Sequence, residues 1–170
     1  MNYQSLTKAS VHQVSIKILI DSREKNPFTF TGYDVDPEPA MLPVGDYSLP
    51  GFEDRVALER KSLNDLISCL MNSNRERFEK ELVKGRAYDL FMVVVEASLA
   101  DVSRGRYRSE MKAHAALQSL LAFQVRYRLS IIWAGNRAGA EYMTFWTLAK
   151  YLRELEERFK QATKAQEKAA

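Results

Sequence analysis

Leu42–Lys61 reads LPVGDYSLPGFEDRVALERK, two apolar-rich runs on either side of Pro50-Gly51-Phe52-Glu53-Asp54. Leu42–Leu49 and Arg55–Lys61 both have strand character, and the segment between them carries the residues of a hairpin loop. Antiparallel pairing with Leu49 opposite Val56 puts Asp46 opposite Glu59. Facing residues share one side of a sheet, roughly 5 Å apart. The two-residue period adds Lys61 to that side. A slip of one residue would disperse the three groups, so their meeting depends on this register.

Outward from the hairpin, strands and helices alternate, which predicts an α/β fold with a central mixed sheet flanked by helices. Ser15–Asp21 is β-rich and forms the first strand. Residues 22–40 contain Pro27, Gly32, Pro37 and Pro39 and read mostly as loop with room for a short extended piece. Leu63, Leu66, Ile67, Leu70 and Met71 recur at helical spacing, continued by Phe78 and Leu82. Asn72-Ser73-Asn74 is a candidate break, and Gly85 a candidate stop. Leu90–Glu96 is an apolar, β-branched run suited to a buried central strand. Lys112–Arg128 is helical, Leu129–Trp133 is a short strand, and Ala140–Lys160 is a long helix. The expected organisation is a loose arm over 1–14, one folded domain over 15–160 and a frayed tail over 161–170.

Composition excludes several classes. The chain has 170 residues, 46% hydrophobic and 28% charged, which is ordinary for a globular domain and wrong for a disordered or collagen-like one. The longest purely apolar run, Leu90–Val95, is too short for a membrane span. One cysteine, Cys69, excludes an internal disulfide, and no secretory leader is evident, so a reduced, cytoplasmic location is expected. The two histidines offer little: His12 lies in the arm, and His114 has no acid or cysteine cluster around it. Charge is uneven. Residues 34–65 carry a net −5 and residues 104–137 a net +6. An acidic segment suits a hard cation and a basic one suits phosphates, while solvated surface charge explains both equally.

Two close carboxylates repel unless a cation sits between them. Mg²⁺ or Mn²⁺ takes oxygen ligands, polarises a phosphodiester oxygen and acidifies a bound water. Lys61 would orient that water or neutralise charge developing on the phosphate. The same residues also fit an exposed hairpin with a cross-strand ion pair. Asp21-Ser22-Arg23-Glu24 leaves the first strand with two more acids, at the kind of strand end where α/β sheets host ligands. Ser62-x-x-Asp65 has the form of a capping box, which competes with any metal role for Asp65.

These residues carry a family resemblance. Leu19-Ile20-Asp21-Ser22-Arg23-Glu24, then Leu42-Pro43-Val44-Gly45-Asp46-Tyr47, then Leu58-Glu59-Arg60-Lys61-Ser62-Leu63-Asn64-Asp65 resembles the nuclease domain of the XPF family, archaeal Hef included. Arg77-Phe78 with Leu82, and the strand ending at Glu96, look similar too. The resemblance implies a restriction-endonuclease-like fold of the PD-(D/E)xK type and Mg²⁺- or Mn²⁺-dependent endonucleolytic cleavage of DNA. Asp46 and Glu59 would be metal ligands, with Asp21 beside them, and Lys61 the active-site lysine. Asp21, Glu24, Arg60 and Asp65 would support the site. Branched DNA met in repair or recombination is the implied substrate. The alternatives are a less selective or restriction-like DNase, and a non-catalytic DNA-binding or assembly module. The paired helix-hairpin-helix and helicase segments of the family are not recognisable, so a stand-alone nuclease domain of a bacterium or phage is expected.

Arg104, Arg106 and Arg108 alternate after the Glu96 strand and, with Arg77, are candidate DNA contacts. In the last helix Tyr142, Phe145, Ala149, Leu152 and Phe159 form a stripe flanked by Trp146 and Leu148. So wide an apolar arc predicts a homodimer contact through this helix, or else burial in the chain's own core.

Overall fold

The computed structural model describes residues 15–169, so the arm expected over 1–14, with His12, lies outside the described residues. The strands are β1 (Ile16–Asp21), β2 (Val35–Ala40), β3 (Tyr47–Ser48), β4 (Val56–Lys61), β5 (Leu90–Val95) and β6 (Ser130–Trp133). The helices are α1 (Leu63–Ser68), α2 (Asn72–Gly85), α3 (Leu99–Ser103), α4 (Ala113–Tyr127) and α5 (Arg137–Ala169). The strands form a mixed sheet in the order β2-β1-β3-β4-β5-β6. Only β3 runs against its neighbours; β1 pairs parallel to β2, and β4, β5 and β6 pair parallel to one another. Because β3 is reversed, its start lies at the edge where β1, β4 and β5 end. That edge gathers Asp21, Asp46, the Glu59-Arg60-Lys61 run and Glu96.

Alternation along the central strands sorts side chains between two apolar layers. Val56, Leu58 and Val94 face one layer with Phe28, Phe30, Tyr47 and the α5 residues Phe145 and Leu148. Val93 and Val95 face the other, with Leu66, Phe78 and Leu82 of α1 and α2 and with Ala116, Leu120 and Phe123 of α4. By the same period Arg60 continues the first side, while Glu59 and Lys61 continue the second. Lys61 indeed lies over the Phe78 ring at 5.4 Å.

Several elements differ from expectation. Residues 35–40 form a full edge strand despite Pro37 and Pro39. An edge strand can present its imide nitrogens outward, where no ladder bond is required. The first run of the hairpin is strand only at Tyr47–Ser48, because Gly45 at φ +76° turns the chain out of the ladder. A Cβ on Gly45 would stand 3.0 Å from the Ala57 Cβ and 3.1 Å from the Leu58 carbonyl oxygen. The short helix α3, absent from the sequence reading, is opened by a Ser98–Asp101 capping box. Helix α5 runs on through residues 161–169 where fraying was expected. Ala, Lys, Glu and Gln there are all strong helix formers.

The α5 stripe is largely used inside the chain. Phe145, Leu148 and Ala149 are buried, and Trp146, Tyr151 and Leu152 pack half-buried against the same core. Phe145 meets Tyr33 and Trp146 ring to ring. Only Phe159 stands well exposed, at 74%. Much of the stripe's breadth is therefore taken up within the chain, with Phe159 left outside it. No helix among the described residues is long and apolar enough to cross a membrane.

Candidate active site

The charged sheet edge opens into a cleft of about 900 Å³, floored by the ends of β1, β3 and β4 and walled by α2 on one side and the 23–26 loop on the other. The pairing Tyr47↔Leu58 is the register that sets Asp46 against Glu59. The turn at Gly45 refines it. The Asp46 N–H donates to the Leu58 carbonyl at 2.8 Å, and the Arg60 N–H donates to the Asp46 carboxylate at 2.7 Å. One Asp46 oxygen is thus anchored by β4 backbone.

Glu59 is buried at 5% exposure, and its carboxylate accepts from the Lys61 ammonium. Burial first, and then the neighbouring Glu59 charge, raises the Asp46 pKa. Burial opposes the charge on Lys61, but Glu59 outweighs it and holds the lysine protonated.

A third carboxylate belongs to the group. Glu81 of α2 lines the cleft, shares a hydrogen bond with the Glu59 carboxyl and accepts the Gly45 N–H. Its pKa is raised by burial and then by the Glu59 charge. The sequence reading passed over Glu81, although a signal existed. Phe78, Glu81, Leu82 and Gly85 fall on one helical face, and an acid within an apolar face is the informative exception. That face is pressed onto the sheet so closely that a Cβ on Gly85 would lie 2.4 Å from the Phe91 ring.

The other predicted residues are occupied differently. Asp21 is buried at 3% exposure, and both its oxygens are engaged. Oδ1 accepts from the Arg23 N–H and Nε at 2.8 Å, and Oδ2 from Arg23 at 2.7 Å and the Leu42 N–H at 2.9 Å. Burial favours its protonated form, but these bonds prevail and its pKa is lowered. The expected metal-ligand role for Asp21 does not fit a carboxylate so fully bonded. Asp21 ties the end of β1 to the loop that carries Asp46.

Arg60 lies on the opposite side of β4 from Glu59. It pairs with Glu96 at 2.8 Å and Glu24 at 3.7 Å, and Glu96 also pairs with Arg137 of α5 at 2.8 Å. Glu24 and Arg60 therefore brace the cleft wall. Asp65 is exposed and bonded to Ser62 at the start of α1, in the capping arrangement. Cys69, expected as a small core residue, lines the cleft half-buried, and burial pushes its thiol pKa up. Arg77 lines the cleft. Arg104, Arg106 and Arg108 do not line it. Arg106 is paired with Asp101, and the Arg108 N–H donates to Asn64 beside Asp65.

The donor set suits a divalent cation. Asp46, Glu59 and Glu81 offer only oxygen atoms, and two of the three have pKa values raised by burial first and by the neighbouring Glu59 charge second. Among the described residues no group of three or more acids, histidines or cysteines is placed to hold a metal ion. Mg²⁺ does not require one, since it binds through one or two carboxylates and retains several waters.

A family model described as ERCC4 domain matches residues 20–144. The DNA repair protein RAD1 of Saccharomyces cerevisiae is 34% identical over 79 residues, which is 45% of this chain but only 7% of that protein. Of solved structures, XPF from Aeropyrum pernix superposes with a TM-score of 0.65 at 19% identity, covering 85% of this chain and 69% of the other. XPF from Aeropyrum pernix in complex with DNA gives a TM-score of 0.61 at 21% identity, covering 82% and 66%. These likenesses show the restriction-endonuclease-like fold. A family model spanning most of the chain, joined to that shared fold, means that this chain belongs to the ERCC4 domain family and carries an XPF-type nuclease domain.

Proposed function

We propose that the chain is a divalent-metal-dependent endonuclease that hydrolyses DNA phosphodiester bonds, acting on branched or otherwise structured DNA in repair or recombination. The observation that carries the reading is the meeting of Asp46, Glu59, Glu81 and Lys61 at one end of the sheet. The relatives add the substrate class, through a DNA repair protein and an XPF solved with DNA.

In this reading Asp46 and Glu59 would hold Mg²⁺ or Mn²⁺, with Glu81 beside them on the helix side. What the cation supplies there is polarisation of the phosphodiester and a more acidic water. Lys61 contributes a permanent charge. Its ammonium, held beside Glu59, would donate to a phosphate oxygen and offset charge developing in the transition state. Asp21, Glu24 and Arg60 keep the three strands in the spacing this requires.

Nicking of supercoiled plasmid, and cleavage of flap, fork and junction DNA, in Mg²⁺ or Mn²⁺ test it. Asp46→Asn and Glu59→Gln should each lower cleavage by at least about 100-fold, the scale of losing transition-state charge stabilisation. DNA binding should persist. Wild-type cutting by both variants would remove the assignment. Wild-type binding without any cutting would favour the non-catalytic module. Equal cutting of linear duplex and branched DNA would favour the less selective DNase.

A further inference from the structure

The helical wall of the cleft carries a row of cations that the chemistry does not use. Arg77, Lys80 and Lys84 of α2 all line the cleft and are exposed. Spacings of three and four put them on one helical face. None of the three has a hydrogen-bond or ion-pair partner within the described residues, whereas Arg75 on the same helix is held by Glu79 and the Leu70 carbonyl. Across the cleft, Lys25 is equally exposed and unpaired. The floor between them is acidic. An anionic polymer laid in the cleft would meet positive charge along one wall while a single phosphate reached Lys61 and the carboxylates.

Helical rise separates Arg77 from Lys84 by about 10 Å, which is about three nucleotide steps of roughly 3.4 Å along one strand and so runs past four successive phosphates. The row therefore matches successive phosphates of a single strand. We propose that α2 is the guide for the strand that is cut, with Arg77, Lys80 and Lys84 each holding a phosphate and Lys25 closing the opposite side. This rests on the endonuclease reading and adds to it the path of the substrate.

The test is binding of a single-stranded oligonucleotide at several salt concentrations, in EDTA so that no cleavage intervenes. Each phosphate contact on a single strand contributes about 0.7 to the slope of log affinity against log salt. Arg77→Ala/Lys80→Ala/Lys84→Ala should flatten the slope by about 2, so that its affinity falls about 20-fold less than wild type between 50 and 200 mM salt. A second triple, Lys150→Ala/Arg153→Ala/Lys164→Ala, removes the same charge from exposed positions of α5 and should leave the slope in place. The single variant Lys84→Ala should flatten it by about 0.7, which keeps the test available if the triple folds poorly. Equal flattening by both triples would reduce the effect to net charge and overturn the guide. An unchanged slope in the α2 triple and in Lys84→Ala, with a wild type that binds and cuts, would overturn the guide alone. A wild type that neither binds nor cuts would overturn the endonuclease reading as well.

Discussion

Arg60→Ala separates bracing from chemistry within the Glu59-Arg60-Lys61 run. Arg60 is 9% exposed at its side chain, and its partners Glu24 and Glu96 are 9% and 12% exposed. Removing one partner of a buried ion pair costs about 3–5 kcal/mol, because a desolvated charge is left uncompensated. Here Glu96 keeps Arg137, while among the described residues Glu24 has no other cation on it and opens toward the cleft. The lower end, about 3 kcal/mol, is therefore expected. For a chain of this size each kcal/mol moves Tm by about 2–4 °C, so Tm should drop by about 6–12 °C. The backbone bond from Arg60 to Asp46 survives the substitution, so Asp46 stays in place. Thermal melts without metal, paired with single-turnover cleavage at 20 °C, give both readouts. Cleavage within about tenfold of wild type is expected. Loss of cleavage with Tm unchanged would refute the reasoning and place Arg60 at the reacting phosphate.

Other expectations concern the same edge. In the metal-free protein Asp46 and Glu81 have pKa values raised to about 8. The folded state then holds more protons than the unfolded one between about pH 4 and 8, and stability falls as pH rises through that window. Added Mn²⁺ should recover it, with a larger Tm gain at pH 8 than at pH 6, since ligands must be deprotonated to bind. Gly45→Ala should destabilise by more than about 1 kcal/mol and weaken cleavage, because φ +76° and a 3.0 Å contact with Ala57 both resist a Cβ. Ending the chain at residue 160 should leave Tm within about 1 °C, since residues 161–168 are exposed along α5.

Much of the site was readable because its geometry is periodic. One register assumption put Asp46, Glu59 and Lys61 together, and the two-residue period required little else. What escaped reading depends on tertiary packing. Glu81 reaches the group only because α2 lies flat on the sheet at Gly85, which no local pattern near Asp46 announces. Proline in β2 signals a loop until one knows that this strand has a free edge. Asp21 has the residue type and strand-end position of a ligand, yet its bonds to Arg23 and the Leu42 N–H form only when the loop folds back. The arginines at 104–108 carry the right charge, but none of the three lines the cleft, and Arg106 is paired with Asp101.

The connection from β1 to β2 is a parallel crossover made without a helix. Phe28 and Phe30 fill the core in its place, with Phe28 stacked on Tyr47 at 5.1 Å, and Arg137 clamps the carbonyls of Asn26 and Pro27. Asp21 and Arg23 secure the near end. Between these anchors only Glu24, Lys25 and Asn26 reach the cleft, and Glu24 is taken by Arg60. One wall of the cleft is thus interchangeable while the other is load-sharing. Cassette replacement of residues 25–26 offers a way to retune substrate choice in the laboratory without disturbing the reaction centre, an option that a helical crossover buried along its whole length would deny.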